Sequence, residues 1–295
     1  MLNSLVSKNL ILGDIKIQKK YGDTQRVSLF ANVRDEKHIR EWAAHHLLLG
    51  FDDIIIYDHK SKIPLKKIFT NFDKRVHIIN VSHYENPVKI LLMNNSINIA
   101  KKLKADWMIY LDADEFLIFN DKNMNIKNFL DKYKHADLLG INWLMFGSNN
   151  MVSDPDGLIV DNYTKSEFIL DPHIKTFVRP NEITIANNPH FYHIRRKKRM
   201  YDLLNKVIPE PYYKNNINLN CKQVTAYIAH YIIQCEESFI QRKCRPTDDT
   251  GTMKNTKDND FKDMHNHHNN YDNYHPKNAY AYNIKTFLAK YNYIY

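Results

Sequence analysis

Asp112, Asp114 and Glu115 put three carboxylates within four positions, directly after the apolar run Trp107-Met108-Ile109-Tyr110-Leu111. Oxygen donors of this kind suit hard divalent ions such as Mn²⁺ or Mg²⁺. An Asp-x-Asp pair in a strand-end turn can send both carboxylates toward one point. An ion held there keeps open positions, bridges the phosphates of a bound nucleotide and stabilises the charge developing on a leaving group. A bare Asp-x-Asp is also a common solvated acidic turn. The apolar run before it and Phe116-Leu117 after it favour the metal.

Other side chains point to the same chemistry more weakly. In the loop Val33-Arg34-Asp35-Glu36, Arg34 is suited to a pyrophosphate or a base, with Glu36 beside it on the nucleotide-sugar. Asp58, which ends the apolar run 53–57 (DIIIY), either accepts hydrogen bonds from base or ribose or caps the next element. Residues 173–180 (HIKTFVRP) put His173, Lys175, Phe177 and Arg179 at alternate positions. On a strand, Lys175 and Arg179 share a face and hold sugar or diphosphate, or they lie on a surface strand. The basic run at 194–199, with Arg195 and Arg199, suits an anionic lipid surface; a solvated face is the plainer alternative. His265, His267 and His268 resemble a metal tract in composition only.

The elements that must position these groups alternate. Residues 26–31 (RVSLFA) predict a buried strand, and Ile39, Trp42, His46 and Leu49 recur at helical spacing up to Gly50, a helix stop. Residues 53–57 predict a second strand, completing a βαβ unit. Residues 76–81, 88–103 and 107–111 predict strand, helix and strand, and residues 138–143 and 224–229 two further strands. Such alternation predicts an α/β fold with a mostly parallel sheet covered on both faces. Ligands of such sheets bind beyond the carboxyl ends of the strands, where Asp58 and Asp112 fall.

Composition sets the bounds. With 295 residues, 43% of them hydrophobic, the chain can bury a sizeable core. One domain is expected over 26–247, with a nucleotide-sugar half near 26–120 and an acceptor half near 138–247. Residues 1–25 form an extension, and residues 248–295 a polar loop and a C-terminal helix packing on the same domain. The net charge of +9 admits nucleic acid, anionic membrane or a phosphorylated ligand without choosing. No recognition motif favours nucleic acid. The three cysteines lack metal spacing and form no complete disulfide set, which fits a reducing compartment. No segment reads as a signal peptide or membrane span, so a cytoplasmic, soluble chain, peripheral to a membrane at most, is expected.

Together these blocks resemble glycosyltransferase family 92 and its glycosyltransferase-2-like relatives, from about residue 27 to 245. The blocks are Asp35-Glu36, Glu41-Trp42 with His46, Leu49-Gly50, Ile56-Tyr57-Asp58 with Ser61, and Leu111-Asp112-Ala113-Asp114-Glu115-Phe116. They continue with Trp143, Phe146-Gly147-Ser148, Lys175, Arg179-Pro180, His190 and His230-Tyr231. The resemblance implies a GT-A fold, Rossmann-like, with a nucleotide-sugar donor (a UDP-sugar), a glycan or glycoconjugate acceptor and Mn²⁺ or Mg²⁺. It puts the metal on Asp112, Asp114 and His230. Gln234-Cys235 and Arg245-Pro246 depart from the family's Lys-Ser and Arg-Gly. Single displacement with inversion is expected, with Asp154 or Asp156 as the base and Glu115 and Glu237 as alternatives. A non-catalytic glycan or nucleotide binder, a nucleic-acid binder and a phosphohydrolase are the rival readings.

Overall fold

The computed structural model describes residues 15, 25–188, 191–195, 199–222, 225–253 and 266–293. His190, residues 196–198, Val224 and His265, named above, lie outside the described residues, as does most of 1–25. The first unit is β1 (Val27–Val33), α1 (Ile39–Leu48) and β2 (Asp53–Asp58). All of β2 is buried, as its unbroken apolar run requires of a strand covered on both faces. Helix α1 closes at Gly50, whose φ of +96° is a conformation that side chains with a Cβ rarely adopt. After α2 (Leu65–Ile68) come β3 (Val76–Asn80), α3 (Lys89–Leu103) and β4 (Trp107–Tyr110). Here the chain matches the alternation expected of it.

The second half is less regular. It runs through β5 (Glu115–Phe119), α4 (Ile126–Asp131), β6 (Leu138–Met145), α5 (Ile159–Asn162), β7 (Lys165–Ser166) and β8 (Asp171–Val178). A hairpin of β9 (Ile183–Asn188) and β10 (Phe191–Ile194) follows, then β11 (Met200–Tyr201), α6 (Glu210–Lys214), β12 (Ala226–His230) and α7 (Glu236–Lys243). The chain closes with β13 (Tyr271–Asp272) and α8 (Tyr282–Ala289).

Among the described residues nine strands form one sheet, in the order β3-β2-β1-β4-β8-β6-β12-β5, with β11 added beside β6. The pairs β3-β2, β2-β1 and β1-β4 are parallel, β8 runs against β4 and β6, and β12 is parallel to β6. The result is an α/β fold around one mostly parallel sheet. The bidentate Arg26–Asp53 ion pair, at 2.7 and 2.8 Å, fastens β1 to β2 at their amino ends.

Strand β5 was not among the expected elements. The acids at 112–115 interrupt the apolar run, so its continuation read as flanking sequence, yet all five of its residues are buried. It pairs antiparallel with β12, setting His230 opposite Glu115. Its far end is sealed by Tyr280, whose hydroxyl accepts from the Phe119 amide at 3.0 Å and donates to the Phe119 carbonyl at 3.1 Å. That contact satisfies backbone groups which a bare sheet edge would expose. Behind it, Ile284 and Leu288 of α8 are buried in the same core cluster as Trp42 and Leu47 of α1.

Helix α1 also fixes a loop. Its buried Glu41 accepts from the amides of Ile159 and Val160 at 2.6 and 3.1 Å, satisfying the first turn of α5. Removing that carboxylate leaves two amides without acceptors. The Glu41→Ala protein is therefore expected to lose roughly 3 kcal/mol, seen as a lower urea midpoint with an unchanged slope. An unchanged midpoint would show that the contact does not stabilise the fold.

Candidate functional site

The carboxyl ends of β1 and β4, with α7 and the strap that follows it, enclose a cleft of about 370 Å³. Arg34, Glu36, Asp112, Asp114 and His230, all expected at the site, line it together. Asp112 follows β4 and is gripped from two sides. Lys89 Nζ lies 2.8 Å from one carboxylate oxygen and Lys175 Nζ 2.9 Å from the other. Burial opposes its charge, but the two ammonium groups outweigh that and hold its pKa well below the usual carboxylate range. Lys175 reaches on to Glu115 at 3.0 Å, and Glu115 in turn accepts the Asp112 amide at 2.9 Å. Burial lifts Glu115 to about 8, against the pull of Lys175 and with the help of Asp112 and Asp114.

Asp114 faces different partners. Arg242 Nη1 donates to one oxygen at 2.8 Å, while His230 Nε2 stands 3.7 Å from the other. The Tyr231 amide donates to the Asp114 carbonyl at 2.9 Å, so turn and strand end are tied by backbone as well. Burial pushes His230 down to about 4 despite Asp114, leaving a neutral imidazole at neutral pH. A neutral imidazole beside a carboxylate is a donor pair a divalent ion can use. Among the described residues no group of three or more His, Cys, Asp or Glu side chains forms a ready ligand set. Asp114 and His230 are the carboxylate and imidazole whose chemistry would fit such an ion. Both oxygens of Asp112 already carry a lysine.

Four expected site residues are held elsewhere. Asp58 is buried and accepts the Leu65 amide at 2.8 Å, so it caps α2 instead of lining the cleft. Arg179 follows the end of β8, beside the amino end of β4. Its guanidinium donates to the carbonyls of Ala136 and Lys134 and lies 4.2 Å from the Trp107 ring, away from the cleft. Lys175 and Phe177 share one side of the sheet as the alternation required, but Arg179 lies past the last strand residue. Asp154 is occupied by Lys37 at 2.9 Å, His38 at 3.3 Å and the Tyr163 hydroxyl at 3.1 Å. Asp156 is exposed. The loop carrying both is drawn back by Glu41 and by Asn149, whose side chain bonds Asn162 and Thr164.

Lys89, Trp143, Arg242, Arg245 and Asp248 line the cleft without having been singled out for it. Lys89 opens α3, where only the apolar face of the helix was legible. Asp248 lies in the polar stretch set aside as loop, yet it bonds Asn32 at 2.6 Å and His59 at 3.2 Å, and its carbonyl accepts the amides of Val88 and Lys89.

The chain belongs to glycosyltransferase family 92, whose model matches residues 28–275. A family 92 protein of Oryza sativa subsp. japonica, Os08g0121900, is 22% identical over 222 residues, covering 71% of this chain and 37% of the relative. Another, At1g27200 of Arabidopsis thaliana, is 23% identical over 219 residues, covering 69% and 37%. The chain thus spans little more than a third of the length of these curated relatives. Among solved structures, a CMP:2-keto-3-deoxy-manno-octonic acid synthetase complexed with CTP aligns with a TM-score of 0.29 at 9% identity, over 53% of this chain and 75% of that one. The glucosyl-3-phosphoglycerate synthase of Mycobacterium tuberculosis, with Mn²⁺, UDP-glucose and phosphoglyceric acid, gives 0.29 at 12%, over 54% and 58%. These scores are too low to carry an argument about the site. No helix among the described residues is long and apolar enough to cross a membrane.

His38, behind the Glu36 loop, gives a pH test. Burial works against its charge, but hydrogen bonds to Asp154 and Glu41 lift its pKa from 6.5 to about 10. The folded value lies above the unfolded one. Its contribution to stability is therefore complete below pH 6.5 and lost as pH rises through about 10. In urea titrations the stability gap between the native protein and His38→Gln is expected to shrink across that window. A gap that stays constant would contradict the ion pair.

Proposed function

We propose that the chain transfers a sugar from a UDP-sugar to a hydroxyl of a glycan or glycoconjugate, with inversion and with Mn²⁺ or Mg²⁺ as cofactor. The observation that carries this reading is the pairing of Asp114 with His230, 3.7 Å apart, at the mouth of a charged cleft in a family 92 domain. Asp114 and His230 would hold the ion, which when bound neutralises the diphosphate leaving group. Lys89 and Lys175 fix the Asp112 carboxylate, and the Lys175–Glu115 contact fixes the turn that carries it.

The acceptor oxygen bonds to the anomeric carbon as the carbon–phosphate-oxygen bond breaks, and that bond's electron pair leaves with the diphosphate. The hydroxyl proton passes to a carboxylate. Glu36 suits this role among the cleft acids. Asp112 is committed to two lysines, Asp114 to Arg242, and Asp248 to Asn32 and His59. Asp249 accepts the Thr250 amide, and against burial it is held below its ordinary pKa by hydrogen bonds, Thr247 first. Burial raises the proton affinity of Glu36, with Arg242 and His38 opposing, and a stronger base is what proton abstraction needs. In this reading the base passes from Asp154 and Asp156 to Glu36. Peripheral contact with an anionic membrane through Arg195 and Arg199 belongs to the proposal too; both are exposed.

The test is a screen of UDP-sugars with Mn²⁺, read by donor hydrolysis and transfer. Asp114→Ala and His230→Ala are each expected to lower turnover by about 100-fold or more. Glu36→Gln is expected to lower kcat by a similar factor while the donor still binds. No donor consumption by the native protein under any of these conditions would overturn the reading. Full activity in Asp114→Ala would remove the metal from it.

A further inference from the structure

Two acids of the cleft, Asp112 and Asp114, are already paired with basic side chains of the chain itself. Lys89 and Lys175 hold Asp112, and Arg242 holds Asp114 while donating its other amino group to the carbonyls of Ile232 and Ile233, both at 2.8 Å. A divalent cation arriving alone meets three ammonium or guanidinium groups beside its two carboxylates. An anion meets something else. Arg34 lines the same cleft, forms no ion pair among the described residues, and its buried Nε has no hydrogen-bond partner there. Arg245 stands next to it, donating to the Arg34 carbonyl at 2.7 Å, with a carboxylate no nearer than Asp35 at 3.9 Å. Burial depresses the pKa of Arg245, and the charge of Arg34 depresses it further. Two guanidinium-bearing side chains thus line one cleft, with Asp248, Glu36 and Asp35 near Arg245, and a doubly charged anion such as a diphosphate suits their paired donors.

We infer that Arg34 and Arg245 form a seat for the donor's diphosphate that fills without metal, and that the divalent ion binds only after the diphosphate is in place. The order follows from charge. The phosphates supply the negative potential that Asp112 and Asp114 lack while lysine and arginine hold them. Their arrival also offers Arg242 a second anionic partner, loosening its hold on Asp114. This inference rests on the nucleotide-sugar reading of the cleft but is separable from it, because that reading is equally consistent with metal binding first.

The experiment is calorimetric titration of the whole chain with pyrophosphate and with UDP, each in EDTA and in Mn²⁺, and with Mn²⁺ alone. Both anions are expected to bind in EDTA, and Mn²⁺ alone to bind at least about tenfold more weakly than Mn²⁺ added to the UDP-saturated protein. Arg34→Gln and Arg245→Gln are each expected to weaken metal-free binding by about tenfold or more, the loss of a charge-assisted contact. Asp114→Asn, which removes a metal ligand and frees Arg242, is expected to keep or strengthen it. Thermal melts without ligand establish that each variant is folded. Binding of UDP only when Mn²⁺ is present, or equal Mn²⁺ affinity with and without UDP, would overturn the inference and leave the transferase reading standing. Failure of both anions to bind under every condition would overturn both.

Discussion

The ladder between β5 and β12 sets Glu115 opposite His230, and the chemistry of the cleft hangs on that register. A slip of one residue would turn His230 to the opposite face of the sheet and bring Ala229 or Tyr231 to the turn. The register is held from both sides. Phe116 and Leu117 are fully buried, Tyr231 is buried against the rings of Phe116 and Phe146, and the Tyr231 amide is spent on the Asp114 carbonyl. At the other end Tyr280 bonds both backbone groups of Phe119. Packing far from the cleft therefore fixes which imidazole meets which carboxylate.

Electrostatics follows from the same placement. Asp112, Glu115 and Lys175 are brought out of full solvent contact together, and burial of this kind is tolerated only when charges are paired. Lys175 answers two carboxylates at once, and Lys89 completes Asp112. The groups are thus oriented before any ligand arrives, which makes fixed charges effective against charge that develops during a reaction. Burying them costs stability, and the apolar sheet around them offsets that cost.

The first half of the fold was legible because it is local. Strand runs, helical spacing and a stop at Gly50 each occupy a few residues, and the acids follow β4 as a strand-end turn would have them. The site was legible only in part. Arg34, Glu36, Asp112, Asp114 and His230 meet in one cleft, although the first and the last of them lie 196 positions apart in the chain. Asp58 and Arg179 show what sequence omits. Both have the right chemistry near strand ends, but the backbone nearby claims them, one as a cap and the other past the end of its strand. Asp248 shows the converse, an acid in a polar stretch that returns to bond three separate elements. Such returns depend on loop geometry, which leaves no period in the sequence.

The assignment of His230 and Asp114 as joint ligands is the point on which the functional reading turns. Pulsed electron paramagnetic resonance of Mn²⁺ bound with UDP tests it most directly, because a coordinated imidazole nitrogen modulates the manganese echo. Nitrogen modulation in the native protein that vanishes in His230→Gln is the predicted result. Native protein that binds Mn²⁺ and UDP with no nitrogen modulation, or modulation that persists in His230→Gln, would contradict it.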